Sequence, residues 1–132
     1  DYLGYDLRDW PGRPDLPFRR ADVVHDRLRP CDLILCREVL FHLPNALVMK
    51  ALENFARSGR YLLTTSMRGG PGDNRRRHRW EGPGDAGYSP LDLEAPPFNL
   101  PPPLLTIPEP AHSNRFLGLW DLRELALQWT SE

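Results

Sequence analysis

The amino-acid sequence predicts a single α/β domain in which parallel strands end in an antiparallel β-hairpin. Three observations predict it. "DLILC" at 32–36 is apolar almost without alternation, as in a strand covered on both faces of a parallel sheet. "NALVMKALENFARSG" then places Leu47, Val48, Ala51, Leu52 and Phe55 at helical spacing. "RYLLTTSM" at 60–67 follows at once and is rich in β-formers. Strand, helix and strand within about thirty residues make a βαβ unit with a right-handed crossover.

Tyr2 to Leu7 reads as a first strand, and "RDWPGRPDLP" after it is made of turn residues. That connector is too short for an ordinary helix of ~11 residues with its turns. A second strand spans 18–24, interrupted by Arg19 and Arg20, and a third spans 32–37. Asn45 suits the N-cap of the helix at 45–57, and Gly59 a left-handed C-cap. Lys50, Glu53, Asn54 and Arg57 fall away from its apolar stripe. The fourth strand spans 60–66.

Residues 67–103 read as an irregular Gly/Pro-rich insertion in the domain that covers 1–132. Its first part holds the basic run Arg75, Arg76, Arg77, His78 and Arg79, which reads as a solvated loop. Its second part, "APPFNLPPP", is expected to be extended. "LLTI" and "FLGLW" then form the hairpin, near 104–107 and 116–120. Asp121 caps a last short helix with Leu122, Leu125, Ala126 and Trp129 on its inner face. Trp120 ends an apolar strand and belongs to the core. Trp80 and Phe98 are candidates to face a substrate.

Composition narrows the function classes. Lys and Arg number 17 against 18 Asp and Glu, a net charge of −1, so neither a general nucleic-acid binder nor a membrane-surface binder is indicated. No apolar run reaches the ~18 residues of a membrane span. Cys31 and Cys36, five residues apart on an extended segment, are too distant to bridge. A reducing, cytoplasmic setting is the expectation. His25, Cys31, Cys36 and His42 lie close in sequence, but their spacing matches no standard zinc ligand pair, and no metal is expected. Cys36 has no activating partner in a motif and reads as a small buried hydrophobe rather than a nucleophile.

The functional candidates gather where strands end. Open parallel sheets bind ligands beyond the carboxyl ends of their strands. The first strand ends in Asp6, the second supplies Asp22, the third ends in Cys36, Arg37 and Glu38, and the fourth in Thr64, Thr65 and Ser66. A carboxylate can accept both hydroxyls of a ribose, which suits Asp6. A second carboxylate can accept the amino group of a purine, which suits Asp22.

"YLGYDL", "FRRADVV", "CDLILCREVLFHLPN" and "GRYLLTTSM" together resemble the class I S-adenosylmethionine-dependent methyltransferases. "LDLEAPPFNLPPPLLTIPE" and "FLGLWDL" resemble one bacterial branch of that superfamily. The resemblance implies a partial Rossmann-like methyltransferase sheet, with S-adenosylmethionine as cofactor and methyl transfer to an acceptor the sequence does not specify. It implies that Asp6 binds the ribose, that Asp22 meets the adenine amino group with Val23 beside the ring, and that Cys36 and Arg37 line the pocket where the cofactor's methionine part meets substrate.

The chain departs from that family in one respect. No strand with a glycine-rich turn precedes "DYLGYDL", so it reads as the C-terminal portion of such a domain, N-terminally incomplete, and weak or inactive alone. The absent strand would lie between those at 2–7 and 32–37. Either these two pair directly, or their exposed edges recruit another chain and the protein self-associates. The alternative function is a non-catalytic α/β interaction module.

Overall fold

The computed structural model describes residues 2–8, 11–69, 74, 75, 77, 89–110 and 114–130. The elements, in chain order, are β1 (Gly4–Asp6), β2 (Phe18–Arg20), β3 (Cys31–Cys36), a 3-10 turn at Leu40–His42, α1 (Asn45–Ser58), β4 (Gly59–Met67), β5 (Leu105–Pro108), β6 (Arg115–Asp121) and α2 (Leu122–Thr130). They form two sheets. β1 and β2 make a small parallel pair, and the larger sheet has the order β3-β4-β6-β5. β3 and β4 are parallel with Cys36 opposite Thr64, whereas β6 runs antiparallel to both β4 and β5. The expected α/β class, the βαβ unit and the terminal hairpin are all present.

α1 forms because its apolar residues fall on one face. Val48, Ala51, Leu52 and Phe55 are fully buried against the sheet, each large side chain contributing about 1.5–3 kcal/mol over its exposed state. Residues of β4 and β6 on the same side, Leu62, Phe116 and Trp120, complete this layer. Gly118 sits between Phe116 and Trp120. A Cβ there would meet the Trp120 ring at 2.6 Å, so the bare backbone is what lets the indole lie flat on the strand. The Trp120 indole N–H donates to the Pro101 carbonyl at 2.7 Å. Trp120 is thus in the core, as expected.

The segment after β4 is not a loose insertion. Leu91, Leu93, Phe98 and Leu100 are buried in the main core, so Phe98 packs internally and does not face a substrate. "APPFNLPPP" is a compact turn rather than an extended stretch. Phe98 and Asn99 both donate their amides to the Ala95 carbonyl, and Asn99 has φ +52°. Asn74 staples this turn. Its side chain donates to the Asp92 and Pro96 carbonyls and accepts from the Asp92 amide. Arg77 is also buried, against the expectation of a solvated basic loop. Arg76, His78, Arg79 and Trp80 lie outside the described residues.

Further expectations are corrected. β3 is not covered on both faces: Leu33 and Leu35 are 52% and 62% exposed, because the described helices pack on the side of Ile34, Leu62 and Trp120. The helix N-cap is Pro44, with no side-chain cap bond, while Asn45 turns inward and donates to the Asn74 carbonyl. Gly59 is extended at φ −114° and opens β4, where a Cβ would press on Ile34 at 2.8 Å. Nor does Asn54 face solvent. It is buried on α1, and its amide donates to the Val23 and Asp26 carbonyls. Of the two outcomes expected for the first and third strands, direct pairing is not the one found among the described residues. β1 bonds only to β2 and β3 only to β4 among the described residues, which leaves each with an open edge. Asp121 does cap α2, accepting from the Arg123 amide at 2.9 Å.

Candidate functional site

Asp6 ends β1 and is paired in register with Arg20 at the end of β2. One carboxylate oxygen accepts the Arg8 amide at 3.1 Å, a short local bond that holds the side chain at the strand end. The Ala21 amide donates to the Asp6 carbonyl at 2.8 Å, so the chain leaving β2 stays beside β1. Asp22 follows immediately. β2 stops there because Asp22 starts a turn: Oδ1 accepts the Val24 amide at 2.9 Å, and Oδ2 lies 2.8 Å from His25 Nδ1. Partial burial pushes the Asp22 carboxyl up, but the hydrogen bonds from His25 and Val24 outweigh it and hold it below the usual carboxylate range. The acid is therefore ionised at neutral pH. Val23 packs partly buried against the core, and its carbonyl is tied to Asn54. Of the two acids expected to meet ribose and adenine, Asp6 thus ends β1 and Asp22 lies two residues past the parallel neighbour β2, whose expected span of 18–24 is cut to Phe18–Arg20 by the turn.

Cys36, Arg37 and Glu38 stand at the end of β3. Cys36 is buried, and burial pushes its thiol up to about 12, so it stays protonated and is no nucleophile at neutral pH. Its carbonyl accepts the Thr64 hydroxyl at 2.7 Å across the β3–β4 register. Thr65 Oγ1 accepts the Glu38 amide at 2.9 Å, and Ser66 Oγ accepts the Leu93 amide. The hydroxyls that end β4 are thus spent on the backbone around them.

Arg37 is half-exposed and pairs with Glu109 at 3.3 Å. Glu38 is in the left-handed region at φ +61°, which a non-glycine residue adopts only when its surroundings hold it there. Its carboxylate accepts from Arg115 Nη1 at 2.6 Å, and the Arg115 guanidinium lies over the Phe41 ring. Glu38 was among the strand-end candidates, but Glu109 and Arg115 were not singled out in the sequence. The partners of Arg37 and Glu38 lie 72 and 77 positions on, and no local pattern announces such pairs.

Two other features lie apart from the strand ends. A cavity of about 250 Å³, lined by Arg27, Leu28, Pro30, Asn54, Arg57 and Ser58, opens where β3 and β4 begin. Cys31 and Cys36 occupy opposite ends of β3, and no three His, Cys, Asp or Glu side chains gather at metal-binding distance among the described residues. No described helix is long and apolar enough to cross a membrane.

No family model and no curated protein matches the sequence. The structure does have solved counterparts. It is similar to the N-terminal domain of EvdMO1 with SAH bound, at a TM-score of 0.52 and 16% identity over 89% of this chain. The same figures hold for that domain in the presence of SAH and D-fucose. The likeness shows a shared fold. The chain spans less than two thirds of those solved chains, 63% and 62%. The likeness agrees with the α/β class expected from the sequence.

Proposed function

We propose that this chain carries part of the cofactor site of an S-adenosylmethionine-dependent methyltransferase, with Asp6 on the ribose and Asp22 and Val23 at the adenine. The observation that carries the reading is the likeness, over 89% of the chain, to a domain crystallised with SAH, the product left after S-adenosylmethionine gives up its methyl group. In the reaction the acceptor's lone pair takes the methyl carbon, the carbon–sulfur bond breaks, and the sulfonium becomes a neutral thioether. The protein's task is alignment, not covalent catalysis. That suits a site in which Cys36 is protonated and buried. Arg37, half-exposed at the end of β3, is assigned to the region where cofactor and acceptor meet. The acceptor's identity is open in this proposal.

Binding by this chain alone is expected to be weak. Among the described residues no glycine-rich turn stands beside β1 to give amides to the charged amino-acid end of the cofactor. Each such hydrogen bond is worth about 1.5–3 kcal/mol, and two or three of them separate micromolar from millimolar affinity or weaker. Titration of S-adenosylhomocysteine to about ten times a 1 mM dissociation constant, followed by amide NMR, tests this. Saturable shifts should centre on Asp6, Asp22 and Val23 and disappear in Asp6→Ala. Absence of shifts there, or unchanged binding by Asp6→Ala, would remove the assignment. The open apolar sheet face favours a second reading, an α/β interaction module, and the same titration separates the two.

A further inference from the structure

The turn at 22–26 spends its polar groups unevenly. The Asp22 amide donates to Asp26 Oδ2, the Val24 amide to Asp22 Oδ1, and the His25 and Asp26 amides to the Asp22 carbonyl. Within this turn, and among the described residues, only the Val23 amide has no acceptor. The Asp22 carboxylate offers about four lone-pair sites, of which the Val24 amide and His25 take two. An unused donor and an unused acceptor thus lie on adjacent residues.

His25 orients that acceptor. Asp22 is ionised at neutral pH and can only accept, so His25 Nδ1 carries the proton and donates at 2.8 Å. The His25 side chain is 61% exposed, so core packing does not explain its position. The consequence of the pair is geometric. The Val24 amide holds one carboxylate oxygen and His25 holds the other, so the carboxylate cannot pivot about either bond.

We propose that His25 is a positioning residue for base recognition: it fixes the Asp22 carboxylate next to the Val23 amide, so that the two select a purine bearing an amino group over one bearing an oxo group. The proposal rests on the assignment of Asp22 and Val23 to the adenine. Adenine presents an exocyclic N–H to the carboxylate and a bare ring nitrogen to the amide. Hypoxanthine turns a carbonyl oxygen on the carboxylate and a ring N–H on the amide. Acceptor then faces acceptor and donor faces donor.

Adenosine and inosine differ only along that edge and are the probes. They keep ribose and base, and they lack the amino-acid end, for which no glycine-rich turn stands beside β1 among the described residues. Followed by amide NMR, inosine should bind about tenfold or more weaker than adenosine, the worth of a hydrogen bond to a charged group. In His25→Ala the ratio should fall to about threefold or less, because adenosine loses affinity and inosine does not. His25→Asn should restore much of the ratio, since Asn Nδ2 stands as many bonds from the backbone as His Nδ1 and also donates. The amide shifts of β3–β6 show that each variant is folded. A merely structural His25 would lower both affinities together and leave the ratio unchanged, which would overturn the proposal. Failure of His25→Asn to recover any of the ratio would do the same. Binding that needs Asp6 but does not separate adenosine from inosine would overturn the role of His25 and leave the cofactor reading standing. Absence of shifts at Asp22, Val23 and Val24 with either nucleoside would overturn both.

Discussion

Arg77 takes its charge into the interior and spends its donors on backbone. Nε donates to the Pro90 carbonyl and Nη1 to the Leu43 carbonyl and Asn45 Oδ1. Nη2 reaches the Leu40, Phe41 and Ser89 carbonyls. Burial pushes the guanidinium down to about 10, and the ring of carbonyl oxygens opposes that cost by solvating the charge in place of water. One side chain therefore fastens the 3-10 turn, the start of α1 and the segment at 89–90 together. The Leu40 and Phe41 carbonyls keep the Leu43 and Ser89 amides, but the Leu43 and Pro90 carbonyls would lose their donor. Each buried carbonyl left so costs about 1–3 kcal/mol, and Arg77→Ala should lose at least ~2 kcal/mol in urea denaturation. Arg77→Lys should recover only part of that, since an ammonium has three donors and no planar fork. A loss below ~1 kcal/mol would mean that water reaches these carbonyls. None of this was legible in the sequence. A cluster of Arg and His between glycines has the composition of a solvated loop, and burial of one member depends on carbonyls that the fold brings together from 40–43 and 89–90.

The elements were legible where periodicity is local. β3, α1, β4 and the β5–β6 pair fall close to their expected limits, because alternation and helical spacing act within a few residues. What failed was the environment of each element. An apolar run such as "LIL" is read as buried on both faces, but whether a second layer covers it is decided by distant chain. Likewise Asn54 has the polarity of a surface residue, and only the turn at 22–26 makes its burial worthwhile. Asp6 was legible as a strand-end acid, whereas Asp22, expected within a strand at 18–24, lies two residues past β2. The Glu38–Arg115 pair was not legible, since it joins strand ends far apart in sequence. One local choice in β6 can be tested. Gly118→Ala places a methyl 2.6 and 2.7 Å from two ring atoms of the buried Trp120 and 3.1 Å from Phe116. The indole is rigid, buried and hydrogen-bonded to Pro101, so it cannot swing aside cheaply. Overpacking of this kind costs about 1–3 kcal/mol, visible as a lower denaturation midpoint with an unchanged slope. An unaffected midpoint would show that β6 can move away from the helices.

At the scale of the molecule, the chain is a well-packed sheet-and-helix body with a small sheet attached to it. β1 and β2 are three residues each, too short to be stable as an isolated pair. Their attachment runs through few contacts. Asn54 on α1 holds the Val23 and Asp26 carbonyls, the Tyr5 hydroxyl accepts the Arg29 amide at 2.9 Å, and Ala21, Val24 and Leu28 reach the core. β4, by contrast, is bonded along both edges. The two parts should open with different free energies. Native-state hydrogen exchange should therefore find the amides of Phe18–Arg20 and Ala21 far less protected than those of Leu62–Ser66. Asn54→Ala removes two buried hydrogen bonds that join the parts. It should lower protection around β1 and β2 further, by about ten- to a hundredfold, while β4 and β6 change much less. The proposed ribose and adenine contacts sit on this less stable part, so a bound cofactor should restore protection there first. Equal loss of protection in both sheets would show instead that the molecule opens as one unit, and that the site acids are held as firmly as the core.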